Sequence, residues 1–145
     1  MACLINPLRR PVAREGEFLI RGLGIDVVEI GRIKDMMIKY NAHFLEKVFT
    51  PGEIRYCSSR AFAEIHYAGR WASKEAFYKA LPGNIQPESS WKSIEILPDE
   101  SSGRPHIRVL SDSVKRLLRD EGITAFHLSI SHERSICTAT VILEQ

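Results

Sequence analysis

Four charged side chains, Arg70, Lys74, Glu75 and Lys79, crowd the stretch GRWASKEAFYKAL from Gly69 to Leu81. Placed at about 100° per residue, Ala61, Ile65, Ala68, Ala72 and Ala76 form one helical stripe, and Glu75 and Lys79 fall on or beside it. A Glu four residues before a Lys is a favourable pair, but in water it contributes only about 0.3 kcal/mol. That is too little to offset burial of both charges. If the stripe faces inward, the pair needs a polar cleft or a ligand. Arg70 and Lys74 share the opposite arc with no carboxylate between them, either as a solvated basic face or as phosphate ligands.

A second acid interrupts an apolar run. Asp26 stands in GIDVVEI, where alternation puts Asp26 and Val28 on one face and Ile25 and Val27 on the other. Taken alone it is a carboxylate near a strand end accepting backbone hydrogen bonds. Taken with Glu75 it is one of two inward-tending acids that repel unless a cation or proton separates them. A hard divalent ion fits, because magnesium takes one or two protein carboxylates and leaves its other positions to water and phosphate. His132, in SISHERS, is either a solvent-facing turn residue or a phosphate ligand. Arg32 and Lys34 open a helix as surface charges or a docking site. The residues by themselves point to a magnesium-dependent, phosphate-handling enzyme. Gly22 and Gly24 do not make a dinucleotide loop, since the apolar run continues past them; they mark close packing or a bulge within a strand.

The elements that must carry these groups follow from periodicity. A strand is expected from about Phe18 to Val28, then a helix with Ile33, Met36, Met37 and Tyr40 at helical spacing, and another helical turn in FLEKVF. Thr50, Pro51 and Glu53 spell a helix start with a capping box. The long helix runs from about Ser59 to Leu81 and stops at Pro82 and Gly83. WKSIEIL and HIRVL read as strands around the turn PDESSGRP, SDSVKRLLRDEG as a helix, and Phe126–Ser131 and Ile136–Leu143 as a hairpin joined by SHERS. The sum is a single α+β domain, a mainly antiparallel sheet packed against helices that include one long central helix.

Bulk properties narrow the class. With 145 residues, 44% hydrophobic and 26% charged, the chain can bury one ordinary core. A formal net charge of +2 offers no bulk attraction to nucleic acid or to a membrane, and no window approaches bilayer-spanning length. Three cysteines, Cys3, Cys57 and Cys137, lack metal-finger or redox spacing and read as free thiols of a reducing cytoplasm. Residues 1–17 form a short basic extension without a signal-peptide core, and the domain occupies residues 18–145.

The segments GLGIDVVEIGRI and GRWASKEAFYKAL together resemble the small-type 4′-phosphopantetheinyl transferases, the holo-acyl-carrier-protein synthases. FLEKVFTPGEI, WKSIEIL, SGRP and HLSISHERSICTATVILE extend the resemblance from about Leu19 to Glu144. It implies transfer of the phosphopantetheine arm of coenzyme A to a serine of an apo-acyl carrier protein, with adenosine 3′,5′-bisphosphate as the other product, in fatty acid or polyketide synthesis. By resemblance Asp26 and Glu75 are magnesium ligands and Lys79 lies by the reacting phosphates. Arg70, Lys74 and Gly83 match coenzyme A contacts; Gly103, Arg104 and Pro105 of SGRP match a turn lining the nucleotide pocket, and His132 a histidine near the nucleotide phosphate. Arg32 matches an arginine that meets the acidic carrier. The family implies a homotrimer with sites between subunits. It leaves the general base open between Glu75 and a water held by a carboxylate.

Departures from the family pattern are Tyr78 in place of a small residue, Pro82-Gly83-Asn84 in place of Gly-Thr-Gly, and the N-terminal extension. Two other functions share the same residues: a magnesium-dependent phosphotransferase or pyrophosphate hydrolase needing no carrier, and a carrier-binding module without turnover.

Overall fold

The computed structural model describes residues 19–145. Expectations attached to residues 1–18, namely the basic extension, Cys3 and the strand's start at Phe18, lie outside the described residues. The first strand, β1 (Ile20–Glu29), runs directly into α1 (Ile30–Val48), which breaks at Asn41 where φ is 45° and ψ is −135°. That break separates the two helical segments expected from the spacing. Next comes α2 (Pro51–Ser58), whose capping box is formed by Thr50 and Glu53. Then α3 (Ala63–Ala80) leads through two short 3₁₀ turns to β2 (Ile94–Pro98) and β3 (Pro105–Val109). After α4 (Asp112–Asp120), capped by Ser111, the chain ends in β4 (Ala125–Glu133) and β5 (Ile136–Glu144).

Two antiparallel sheets result, β1-β5-β4 and β2-β3. The central helix α3 lies between them, packed on β1 and β5 on one side and on α1, α2 and β2 on the other. Its alanines do what the stripe required, for Ala68, Ala72 and Ala76 are fully buried. Gly22 and Gly24 explain how the sheet gets so close. A Cβ on Gly22 would run into the Ala80 carbonyl, and one on Gly24 into the Ala76 carbonyl, so β1 lies directly on the helix backbone. The pairing of β1 with β5 also shifts register between Ile20 and Gly22.

Three expectations need correction. The helix begins at Ala63, not Ser59, because Phe62 takes a left-handed conformation with φ of 55°; Ala61 is therefore an exposed turn residue and no part of the stripe. His132 sits on β4 opposite Cys137, since the hairpin turn is only Arg134 and Ser135. Most consequentially, the arc with Arg70 and Lys74 is not a solvated face. Both are buried, at 6% and 3% exposure, because α2 and β2 cover the side of α3 away from the main sheet.

Candidate active site

Alternation in β1 puts Gly24, Asp26 and Val28 toward α3, and the missing side chain at Gly24 brings the following Asp26 against the last turns of that helix. Lys79 Nζ donates to Asp26 Oδ1 at 2.7 Å and to the Ile25 carbonyl at 3.3 Å. The lysine side chain is half-exposed while Asp26 is largely covered. One turn earlier, Glu75 has its carboxyl held above the ordinary value by burial and, second, by the negative charge of Asp26. Lys79 and Arg32 pull the other way. Residues far apart in sequence thus form one electrostatic unit of two acids and a lysine, with exposed Arg32 of α1 within its field.

This donor set suits magnesium on chemical grounds. Two carboxylates, one of them raised by the other's charge, have less positive charge between them than they can use, and a hard cation with vacant positions for phosphate oxygen supplies it. Among the described residues no group of three or more His, Cys, Asp or Glu is arranged to hold a metal by itself. The fit is to an ion shared with a substrate.

Lys74, adjacent to Glu75, belongs to another network. Its ammonium lies 3.0 Å from Glu53 Oε2 and donates to the carbonyls of Trp91 at 2.6 Å and Ile94 at 2.9 Å. Glu53 in turn accepts from the backbone N–H groups of Thr50 and Ile96. Burial lowers the lysine's pKa and the Glu53 charge opposes that shift. All three protons of the ammonium are occupied, so Lys74 ties α2, α3 and β2 together.

Arg70 faces a second basic cluster. Its Nε donates to the Ile96 carbonyl, and its guanidinium lies 4.5 Å from the Tyr56 ring centroid, with Arg60 at 4.6 Å from the same ring. His66 meets the ring edge-on. Its pKa is lowered, first by burial and then by the charges of Arg70, Arg60 and His132. Among the described residues none of the four makes an ion pair. Arg60, Tyr56 and His66 were invisible as a cluster in the sequence, being scattered over α2, a turn and the start of α3.

The turn SGRP is ordered by Asp99, whose Oδ1 accepts from the N–H and hydroxyl groups of Ser101 and Ser102 and whose carboxyl is thereby lowered to about 2. Gly103 there has φ of 69°. Among the described residues no hydrogen bond or ion pair joins Gly103, Arg104 or Pro105 to Asp26, Glu75 or Lys79, and Gly83 is an exposed loop residue. The single chain therefore brings together Asp26, Glu75, Lys79 and, by its field, Arg32; it gathers Arg70 and His132 elsewhere. Beside Glu75 opens a cleft of about 300 Å³ lined by Glu75, Phe77, Tyr78, Ser89, Trp91 and Ile94, among others.

Comparison with known proteins agrees in extent with the geometry. The family profile of the 4′-phosphopantetheinyl transferase superfamily matches residues 22–140. A holo-[acyl-carrier-protein] synthase of Syntrophus aciditrophicus is 44% identical over 126 residues, 87% of this chain and 97% of that protein. The crystal structure of holo-[acyl-carrier-protein] synthase from Neisseria meningitidis superposes with a TM-score of 0.75 at 28% identity, covering 88% of this chain and all of that one. That of the Bacillus anthracis synthase, in complex with CoA (3′,5′-ADP), superposes at 0.68 with 32% identity, covering 86% and 96%. With the profile spanning most of the described residues and both acids inside the match, the chain belongs to the 4′-phosphopantetheinyl transferase superfamily.

Proposed function

We propose that the chain transfers the 4′-phosphopantetheine group of coenzyme A to a serine of an apo-acyl carrier protein, as a step supplying carriers for fatty acid or polyketide synthesis. The observation that carries this is the convergence of Asp26, Glu75 and Lys79, with Lys79 Nζ 2.7 Å from Asp26. In the reaction the serine oxygen bonds to the β-phosphorus as the bond from that phosphorus to the bridging oxygen breaks. The bridging oxygen leaves on adenosine 3′,5′-bisphosphate. Asp26 and Glu75 are the residues that would hold magnesium, which when bound neutralises charge on the diphosphate. Lys79, half-exposed and reaching past Asp26, is placed to donate to a phosphate oxygen as charge builds on the leaving group. Glu75, raised by burial and by Asp26, is the acceptor we assign to the serine proton.

The Arg60 and Arg70 guanidiniums, which make no ion pair among the described residues, support a nucleotide phosphate, with His66 and His132 beside them as further hydrogen-bonding groups. Arg32, exposed on the helix that follows β1, supports docking of an acidic carrier. The outward face of β1 supports a homotrimer with sites between subunits. It exposes Ile20, Leu23, Ile25 and Val27 at 54–67%, an apolar row that association would cover. We place the enzyme in the cytoplasm, in keeping with the free buried thiols of Cys57 and Cys137. No helix of the described residues is long and apolar enough to cross a membrane.

The test is incubation with coenzyme A, magnesium and several apo-carriers, read by mass spectrometry. The expected result is a gain of one phosphopantetheine on a carrier serine, reduced about 10²-fold or more by Asp26→Asn with the fold retained. Nucleotide release without a carrier would indicate a hydrolase, and carrier binding without turnover a docking module; either overturns the proposal.

A further inference from the structure

A groove of about 510 Å³ opens between β3, α4 and the start of β4. It shares no lining residue with the unit of Asp26, Glu75 and Lys79 or with the cleft beside Glu75. We infer that this groove binds a single-chain fatty acid as its carboxylate, with Arg119 holding the head and an apolar floor holding the chain. The inference goes beyond the transferase reading and does not depend on it.

The fold leaves this space where its two sheets part. β3 and β4 are edge strands of different sheets and are not hydrogen-bonded to each other. The element beside the gap, α4, has nine residues and buries only Val114 and Leu118. Two such side chains do not close it, and Ile107, Val109, Ile123 and Phe126 are left lining the groove beside Leu118. An alkyl chain laid on that floor takes apolar surface of both partners out of water.

Charge chooses the head group. Every ionisable side chain in the lining is basic, His106 and Arg108 from β3 and Lys115 and Arg119 from α4. Two of these are engaged, Arg108 with Glu95 at 2.6 Å and Lys115 with Asp112 at 3.2 Å. Arg119, exposed in the last turn of α4, has no ion-pair partner among the described residues. One unpaired guanidinium matches one carboxylate, which it can take through two parallel N–H···O bonds. A doubly charged phosphate head would have to draw Lys115 away from Asp112 for its second cation.

Size argues against a helical partner. A helix with its side chains is about 10 Å across and rises about 5.4 Å per turn. A groove of about 510 Å³ therefore seats little more than one turn of it. The same volume falls within the about 300–1,000 Å³ of small-molecule sites. A narrow aliphatic chain with one charged end is the class that the space, the floor and Arg119 accept together.

The test is calorimetric titration of the full chain with octanoate and dodecanoate below their micelle concentrations, and with dodecyltrimethylammonium as the chain of opposite charge. Each methylene taken from water tightens binding up to about fourfold. Dodecanoate is therefore expected to bind at least about tenfold more tightly than octanoate, and the ammonium not to bind. Arg119→Glu reverses the charge at an exposed position, and Thr124→Trp narrows the groove at an exposed lining residue. Each is expected to weaken dodecanoate about tenfold with an unchanged melting curve; should Thr124→Trp not fold, Arg119→Glu decides. Dodecanoate that does not bind, that binds no better than the ammonium, or that keeps its affinity in Arg119→Glu overturns the site. Dodecyl phosphate binding more tightly than dodecanoate overturns the carboxylate assignment. An oligomer that Thr124→Trp breaks in sedimentation, with no fatty acid bound, gives the groove to a second copy of the chain instead.

Discussion

Two lysine–carboxylate pairs on α3 stand five residues apart and do opposite things. Lys74 and Glu53 are essentially sealed, with side chains 2% and 0% exposed, and every polar atom of the pair has a partner. Lys79 and Asp26 are closer, at 2.7 Å, yet the lysine is half in solvent. The buried pair fixes how three elements meet. The open pair keeps its charge available, with Glu75 beside it raised by the second acid. A short distance between opposite charges therefore says little about role; what distinguishes the two is whether the remaining hydrogen-bonding capacity is spent.

The comparison breaks most readily at Glu53. Glu53→Ala leaves the Lys74 ammonium buried with only the more distant charge of Glu95 and strips the N–H groups of Thr50 and Ile96 of their acceptor. Removing one partner of such a pair costs about 3–5 kcal/mol, so denaturant unfolding should show most of the stability gone. Asp26→Asn should leave the unfolding midpoint nearly unchanged. A Glu53 variant as stable as wild type would show that the pair is not the tie described above.

A smaller effect sharpens the other side. The open pair depends on position, and position depends on Gly24, whose missing Cβ lets β1 rest on the Ala76 carbonyl. Gly24→Ala forces backbone from backbone, an overpacking expected to cost about 1–3 kcal/mol. Because it also moves Asp26 away from Glu75 and Lys79, carrier modification at saturating coenzyme A should fall further than the loss of folded protein explains. Activity that merely tracks the folded fraction would place the pair's alignment elsewhere.

These two pairs also show what was legible in the sequence. The order of elements and the capping box at Thr50 and Glu53 could be read because each rests on local spacing, whereas the meeting of Asp26 with Lys79, 53 residues apart, was implied by the family resemblance and by no local pattern. The status of Arg70 and Lys74 could not. A helical wheel assumes one wet face, and α3 has almost none, being covered by the β1-β5-β4 sheet on one side and by α2 and β2 on the other. Partners supplied by a capping-box glutamate and by carbonyls of a later loop leave no periodic trace around Lys74. The left-handed Phe62 that delays the helix start is equally silent, since nothing in its type demands that conformation.

The subtlest expectation concerns Glu75 itself. Its folded pKa lies above its unfolded value because burial and Asp26 penalise the anion. For a raised acid the folded state binds the proton more tightly, so the destabilisation is absent below the unfolded pKa. It grows as pH rises and is complete above the folded pKa. Glu75→Gln removes the charge without changing the shape. It should therefore raise the melting temperature slightly at neutral pH, with the gain fading as pH falls through the carboxylate range, even as carrier modification is lost. Lys74 offers no such trade, because substituting either partner of the sealed pair leaves a buried charge behind. Melting curves of Glu75→Gln at neutral and acid pH read the sign directly. A variant less stable than wild type at neutral pH would mean that Lys79 and Arg32 outweigh Asp26 and burial at this carboxylate.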